Sequence, residues 1–354
     1  MTGNLVPLIR NLRWGPGPHE RVDILQHSIR DPGGNPVVFF RHGGAGSAGD
    51  KRQIWMSAFD ANSLFHYLNT TASLGRHFDL MSVGSEQARW DFPTSLAGNA
   101  TLAADAAYAI DEPYTRPVYW PDSFFGLHRF VQWIKARAKG RTRVPEIGHV
   151  DLGISPVDIF GFGDSFGNQP LSMLSVTAPR LGTVSSDYNA EFGNFQFDSR
   201  VKGIINFRGA QEFRSRNNPN VQNDEWMDFS ITPEYMGTST FAEWAAIPQE
   251  VKAQMGYHWY LEQPSVAYWT PLFLLYEQVG TGNAAPTTPW TDAHDWGQYT
   301  RLVTKMTQTG VSFQSLLFPN TNWVNPGIPV SGPSQLQINQ AIYNWMDEIM
   351  LETG

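Results

Sequence analysis

Short apolar runs alternate along this chain with stretches of helical spacing, and that alternation is its main structural signal. Residues 21–27 alternate in the manner of an opening strand, and Gly33, Gly34 and Asn35 form a turn into a second apolar run at 36–41. Further strands are predicted at 78–84, 157–162, 201–209, 271–276 and 311–318. Helical spacing appears in Phe124, Leu127, His128, Val131 and Ile134, within 120–138, and again over 298–309. Residues 169–176 contain no internal breaker, and Pro170 suits a first helical turn. A last helix starts near Gln335, where Leu336, Ile338, Ile342, Trp345, Met346 and Ile349 form an apolar stripe.

Strands that alternate with helices predict an α/β fold with a mostly parallel central sheet covered by helices on both faces, as one domain over 1–354. The pattern changes between Asn223 and Trp269, where Trp226, Phe229, Tyr235, Trp244, Tyr257 and Trp259 occur without the period of a strand. A helical insertion over about 214–262 is expected there, either as an aromatic core of ordinary packing or as an aromatic-lined lid over a pocket. The small and polar residues of 85–117 are expected to wrap the rim of the site, and 217–220 and 284–289 read as surface loops.

Composition narrows the chemistry. The 354 residues carry 25 basic and 33 acidic side chains, a net charge of -8, with no basic cluster, so nucleic acid and anionic membrane are not expected partners. No apolar run approaches the roughly 18 residues needed to cross a bilayer. The first residues also lack a signal-peptide pattern, so a soluble or cytoplasmic protein is expected. The absence of cysteine excludes disulfides, thiolate metal sites and a thiol nucleophile.

The candidate chemistry lies in two motifs. The apolar run at 157–162 leads directly into Gly163-Asp164-Ser165-Phe166-Gly167, a Gly-x-Ser-x-Gly turn with a predicted strand before it and a predicted helix after it. That context marks Ser165 as a nucleophile at a sharp strand-to-helix elbow, with Asp164 structural. Upstream, the run at 36–41 ends in His42-Gly43-Gly44-Ala45-Gly46. Glycines there let backbone N–H groups approach a developing oxyanion, with the N–H of Phe166 as the partner donor. His42 is expected to organise this turn at the edge of the substrate site.

With these motifs in this order, the chain resembles the α/β-hydrolase carboxylesterases of the hormone-sensitive-lipase and feruloyl-esterase-like type. The resemblance rests on Trp14-Gly15-Pro16-Gly17-Pro18, His42-Gly43-Gly44 followed by Gly49-Asp50-Lys51, Trp120-Pro121 opening a helix that ends Trp133-Ile134, and Gly163-Asp164-Ser165. It covers the first half of the chain by motif and the second half by strand order. It implies an α/β-hydrolase fold and hydrolysis of a small-molecule ester without metal or organic cofactor. Ser165 would attack, Gly43, Gly44 and Phe166 would hold the oxyanion, and a homodimer is allowed. Two departures are local: Ala45 breaks the family's glycine run, and Asn168 stands where glycine is usual.

A third departure concerns the base. The resemblance places the catalytic histidine after the last strand, at 318–323, but Asn320 and Asn322 occupy that segment and no histidine lies beyond His294. A serine hydroxyl is a poor nucleophile until a neighbouring base takes its proton, and asparagine cannot do so. His294, flanked by Asp292 and Asp295 where the acid is expected, is the candidate replacement, with His258 in the aromatic insertion as the second. Trp226, Trp244, His258 and Trp259 are candidate substrate-binding residues. The alternative is a catalytically silent hydrolase fold with a binding or scaffold role.

Overall fold

The computed structural model describes residues 9–15, 20–43, 51, 64–71, 74–84, 122–138, 151–176, 197–209, 240–263, 270–278, 296–319 and 334–352. The rim stretch at 85–117 and the loops at 217–220 and 284–289 lie outside the described residues.

The seven predicted strands and an edge strand that the sequence pattern does not predict, Ile9–Arg13, assemble into one sheet. β1 (Ile9–Arg13), β2 (Arg21–Leu25), β3 (Asn35–Arg41), β4 (Asp79–Val83), β5 (Ile154–Asp164), β6 (Gly203–Phe207), β7 (Leu272–Gln278) and β8 (Phe313–Pro319) stand in the order β1-β2-β4-β3-β5-β6-β7-β8. The two pairings of β2 are antiparallel and all others are parallel. The helices are α1 (Leu64–Thr70), α2 (Asp122–Ala136), α3 (Asn168–Leu174), α4 (Phe241–Ala246), α5 (Gln249–Ala253), α6 (Tyr257–Leu261), α7 (Trp296–Thr309) and α8 (Gln335–Leu351).

Strand alternation divides the core between two faces. Val37 and Phe39 of β3 point to the side covered by α2, α3, α6 and α7, where they join Phe130, Ile159, Leu171, Tyr257 and Leu302. Val38 and Phe40 point to the other side, against α1 and α8, with Phe65, Phe160, Phe162, Trp345 and Met346. α8 starts at a reciprocal capping box, in which Ser334 accepts from the Gln337 backbone N–H and the Gln337 side chain accepts from the Ser334 N–H. Its predicted apolar stripe is buried except for Leu336, which is exposed.

A polar cluster ties together the N-terminal ends of the parallel strands. Asp79, fully buried at the start of β4, accepts two bonds from Arg30 Nη1 at 2.6 and 2.8 Å and one from the His27 N–H at 2.9 Å. Arg30 Nη2 donates onward to the carbonyls of Leu152 and Gly153, just before β5. Burial raises the Asp79 pKa, and the Arg30 hydrogen bond and charge oppose that rise. The cluster therefore holds the base of the sheet, at the end away from the Gly-rich turns.

A second buried polar pair sits under α2. The His128 ring bonds the Ser199 hydroxyl through Nδ1 and meets the Phe124 ring edge-on. Burial, with a smaller push from Arg129, lowers the His128 pKa to about 3. The unfolded chain takes up this proton near pH 6.5 and the folded chain does not until about pH 3. The unfolded state thus binds more protons across that window, and stability falls as pH drops through it. Asp79, with its raised pKa, acts in the opposite sense at the acid end and is unchanged by substitution at His128. In urea unfolding, the protein should lose about 2 kcal/mol more than His128→Asn between neutral pH and pH 5. Parallel pH profiles for the two proteins would contradict this assignment.

Candidate active site

Strand order places the candidate site. Connections run from β3 outward to β4 on one side and from β5 outward to β6 on the other, so the C-terminal ends of β3 and β5 flank a topological switch point. Arg41 pairs with Gly163 across these strands. Beyond this last pair His42 and Gly43 follow β3, and Ser165 follows the end of β5.

Ser165 follows β5 in a left-handed conformation, with φ of 53°. A residue with a side chain resists that region by about 1–2 kcal/mol, so the surroundings must hold it there. A single 3-10 turn, Ser165–Gly167, then leads into α3. A Cβ on Gly167 would lie 2.3 Å from the Arg41 carbonyl oxygen and 2.5 Å from that of His42. A Cβ on Gly43 would lie 3.0 Å from Ser165 Cβ and 3.6 Å from its hydroxyl oxygen. The two glycine turns therefore meet at the serine. Behind it, a Cβ on Gly163 would collide with Asn168 and Leu171.

Asn168, where the resembled family has glycine, is fully buried. Its amide donates to the Phe207 carbonyl at 2.7 Å and to the Ser165 carbonyl at 3.3 Å, joining the elbow to the end of β6. Asp164 Oδ1 accepts from Arg208 Nη2 at 3.0 Å on the same side. The departure from glycine thus supplies a cross-strand tie.

His42 is buried and hydrogen-bonded through both ring nitrogens. Arg41 Nη1 lies 2.8 Å from Nε2, and Nδ1 lies 2.8 Å from the Gly43 carbonyl. A guanidinium only donates and a carbonyl only accepts, so both bonds are satisfied by the neutral ring with its proton on Nδ1. The Nε2 lone pair then faces Arg41, which fits His42 to organising the turn rather than taking the Ser165 proton. Lys51 is buried; its Nζ donates to Asp23 Oδ1 at 2.7 Å and its carbonyl accepts from Ser82.

The other predicted site residues divide as follows. Phe166 is buried in the turn after Ser165. His258 and Trp259 lie on α6, which packs beside α3 and α7, with Tyr257 and Leu261 in the core under the sheet. Gln169 Nε2 donates to the Met255 carbonyl at 2.7 Å, tying this segment to the first turn of α3. His258 is buried, with Nδ1 3.7 Å from Glu262 one turn along. Trp259 is partly exposed and meets the Tyr260 ring edge-on at 4.8 Å. Gly44, Trp226, Asp292, His294, Asp295, Asn320 and Asn322 lie outside the described residues, as does the side chain of Trp244. Among the described residues, no group of His, Cys, Asp or Glu side chains could hold a metal ion, and no helix is long and apolar enough to cross a membrane.

No protein-family model and no curated protein matches the sequence. Solved structures do match the fold. Esterase B of Lactobacillus rhamnosis, in a phosphonate-inhibited structure, is 13% identical with a TM-score of 0.58, over 99% of this chain and 89% of that one. A truncated carbohydrate esterase from gut microbiota is 11% identical with a TM-score of 0.55, over 96% of this chain and 95% of that one. A thermophilic esterase of Thermogutta terrifontis with butyrate bound is 15% identical with a TM-score of 0.52, over 94% and 89% of the two chains. The chain has an α/β-hydrolase fold, as the sheet and the elbow indicate.

The approach at Gly167 gives a direct stability test. Gly167→Ala should destabilise the protein by about 1–3 kcal/mol, because its methyl meets main-chain atoms that are fixed by the sheet. Gly33→Ala, where a Cβ has open space, should stay within about 0.5 kcal/mol of the parent. Equal unfolding midpoints for the two variants would contradict the placement of the turns.

Proposed function

We propose that the protein is a serine carboxylesterase acting on small or aromatic carboxylic esters. The observation that carries this reading is the left-handed Ser165 with Gly43 against its side chain, at the C-terminal ends of β3 and β5. Ser165 Oγ attacks the ester carbonyl carbon as its proton passes to a base. The oxyanion takes hydrogen bonds from the N–H of Phe166 and from the Gly43–Gly44 backbone. Collapse of the intermediate expels the alcohol, which takes the proton, and leaves an acyl group on Ser165. Water then repeats the sequence and releases the acid. The Thermogutta terrifontis esterase supports the reading by analogy, since it is seen both phosphonylated by sarin and with butyrate bound.

His294 is the proposed base, with Asp292 or Asp295 fixing its tautomer; His258 is the second candidate. Residues 214–262 are proposed as a helical insertion over the site, in which Trp226, Trp244 and Trp259 contact the acyl or aromatic part of the substrate. A second reading, a hydrolase fold without turnover, is favoured by Asn320 and Asn322 at the position where the resemblance puts the base.

Hydrolysis of p-nitrophenyl butyrate, with mass-detected fluorophosphonate labelling, separates the two. Under the esterase reading Ser165→Ala lowers the rate by about 10³ or more and abolishes labelling, and His294→Ala lowers both. An ester-cleavage rate unaffected by Ser165→Ala would refute the assignment of the nucleophile. An unlabelled parent that gains turnover in Asn322→His or Asn320→His, by about 10² or more, would support the silent reading.

A further inference from the structure

The serine has a second neighbour that the catalytic proposal leaves unused. Asp164 pairs with Phe207 as the last pair between β5 and β6, and Ser165 and Arg208 are the residues that follow it. Arg208 is also left-handed, with φ of 52°. Two side-chain-bearing residues in this sparsely populated region thus follow directly on the last paired residues of adjacent parallel strands.

Arg208 is fixed from the β7 side. Its N–H donates to the Leu275 carbonyl at 2.9 Å, the following Gly209 N–H donates to Asn206 Oδ1 at 3.0 Å, and the Tyr276 hydroxyl donates to the Gly209 carbonyl. Its guanidinium lies over the Phe207 ring, 4.3 Å from the centre, and reaches Asp164 Oδ1 at 3.0 Å. A planar group can stack and donate at once, which an ammonium on a flexible stem does less well.

We propose that Arg208 is a positioning residue for the nucleophile, and this rests on the reading of Ser165 as that nucleophile. Arg208 is a post held by β7, and its bond to Asp164 carries that fixity to the residue before Ser165. If the elbow relaxed toward an ordinary right-handed turn, Asp164 would leave Arg208, the hydroxyl would swing off the Gly43 side, and the Phe166 N–H would turn with it. The pair therefore protects orientation more than binding. A displacement of about 1 Å at a reacting group can lower a rate by about 10²-fold.

The test compares Arg208→Gln, Arg208→Lys, Asp164→Asn and the double variant Asp164→Asn/Arg208→Gln with the parent. The readouts are kcat and KM on p-nitrophenyl butyrate, the second-order rate of phosphonylation by a p-nitrophenyl phosphonate, and the thermal midpoint. Arg208→Gln and Asp164→Asn should each lose about 10- to 100-fold in kcat and in phosphonylation with KM within about twofold, and the double variant should lose no more than either. Arg208→Lys should recover part of the loss. Parent-like rates in both single variants, multiplying losses in the double variant, or losses that only track the folded fraction would overturn the proposal. If Arg208→Gln fails to fold, Asp164→Asn, which keeps the side-chain shape, decides by the same readouts. A parent inert to the phosphonate and to the ester removes the Ser165 reading and this one together. A reactive parent with unaffected variants removes only the role of Arg208.

Discussion

The end of β3 and the turn after β5 approach so closely that Gly167 has no room for a side chain and one at Gly43 would crowd the serine, and the site depends on that approach. A methyl on Gly167 would enter the carbonyls of Arg41 and His42, and one on Gly43 would press on Ser165. The distance is set by register: β3 and β5 are adjacent parallel strands whose last pair joins Arg41 to Gly163. Everything beyond that pair inherits its geometry, which is why a turn reached from residue 36 and one reached from residue 154 meet at one hydroxyl.

The two ends of the central strands are held by different means. At the C-terminal ends Ser165 and Arg208 both hold left-handed backbone, a state that persists only when neighbours over-determine it. The buried Asn168 amide, the Asp164–Arg208 pair and the Arg41–His42–Gly43 chain of bonds supply that determination. At the N-terminal ends the Arg30–Asp79 pair joins the starts of β4 and β5, and two apolar layers bury both faces between them. Among the described residues, the shape of the site rests on strand ends and the start of a helix.

Much of this was legible because the signals are local. The apolar run before Gly163, the run before His42 and the stripe of α8 each carry their period within a few turns of sequence. β1 was not legible: Ile9–Arg13 is an edge strand of partly exposed residues, bulged at a left-handed Asn11 whose N–H is held by Asp23 on β2. α1 is only seven residues long, too short for helical spacing to separate from chance. The start of β5 was hidden by Ser155 and Pro156, and the end of β6 was set two residues too late, because nothing local announces that Arg208 turns left-handed. For the candidate site, the sequence led to Ser165 and Gly43. The Asn168 tie, the tautomer of His42 and the place of Arg208 beside the serine come only from strand register and buried partners, which are properties of the assembled sheet.

In the proposed reading, Ser165 and the two backbone turns form one acyl-transfer site. A crystal structure of the protein after reaction with a p-nitrophenyl phosphonate tests it most directly. Phosphorus should be bonded to Ser165 Oγ, with a phosphonyl oxygen within about 3 Å of the Phe166 nitrogen and of the Gly43–Gly44 backbone. An adduct on another residue, or a phosphonyl oxygen turned away from both sets of donors, would contradict it.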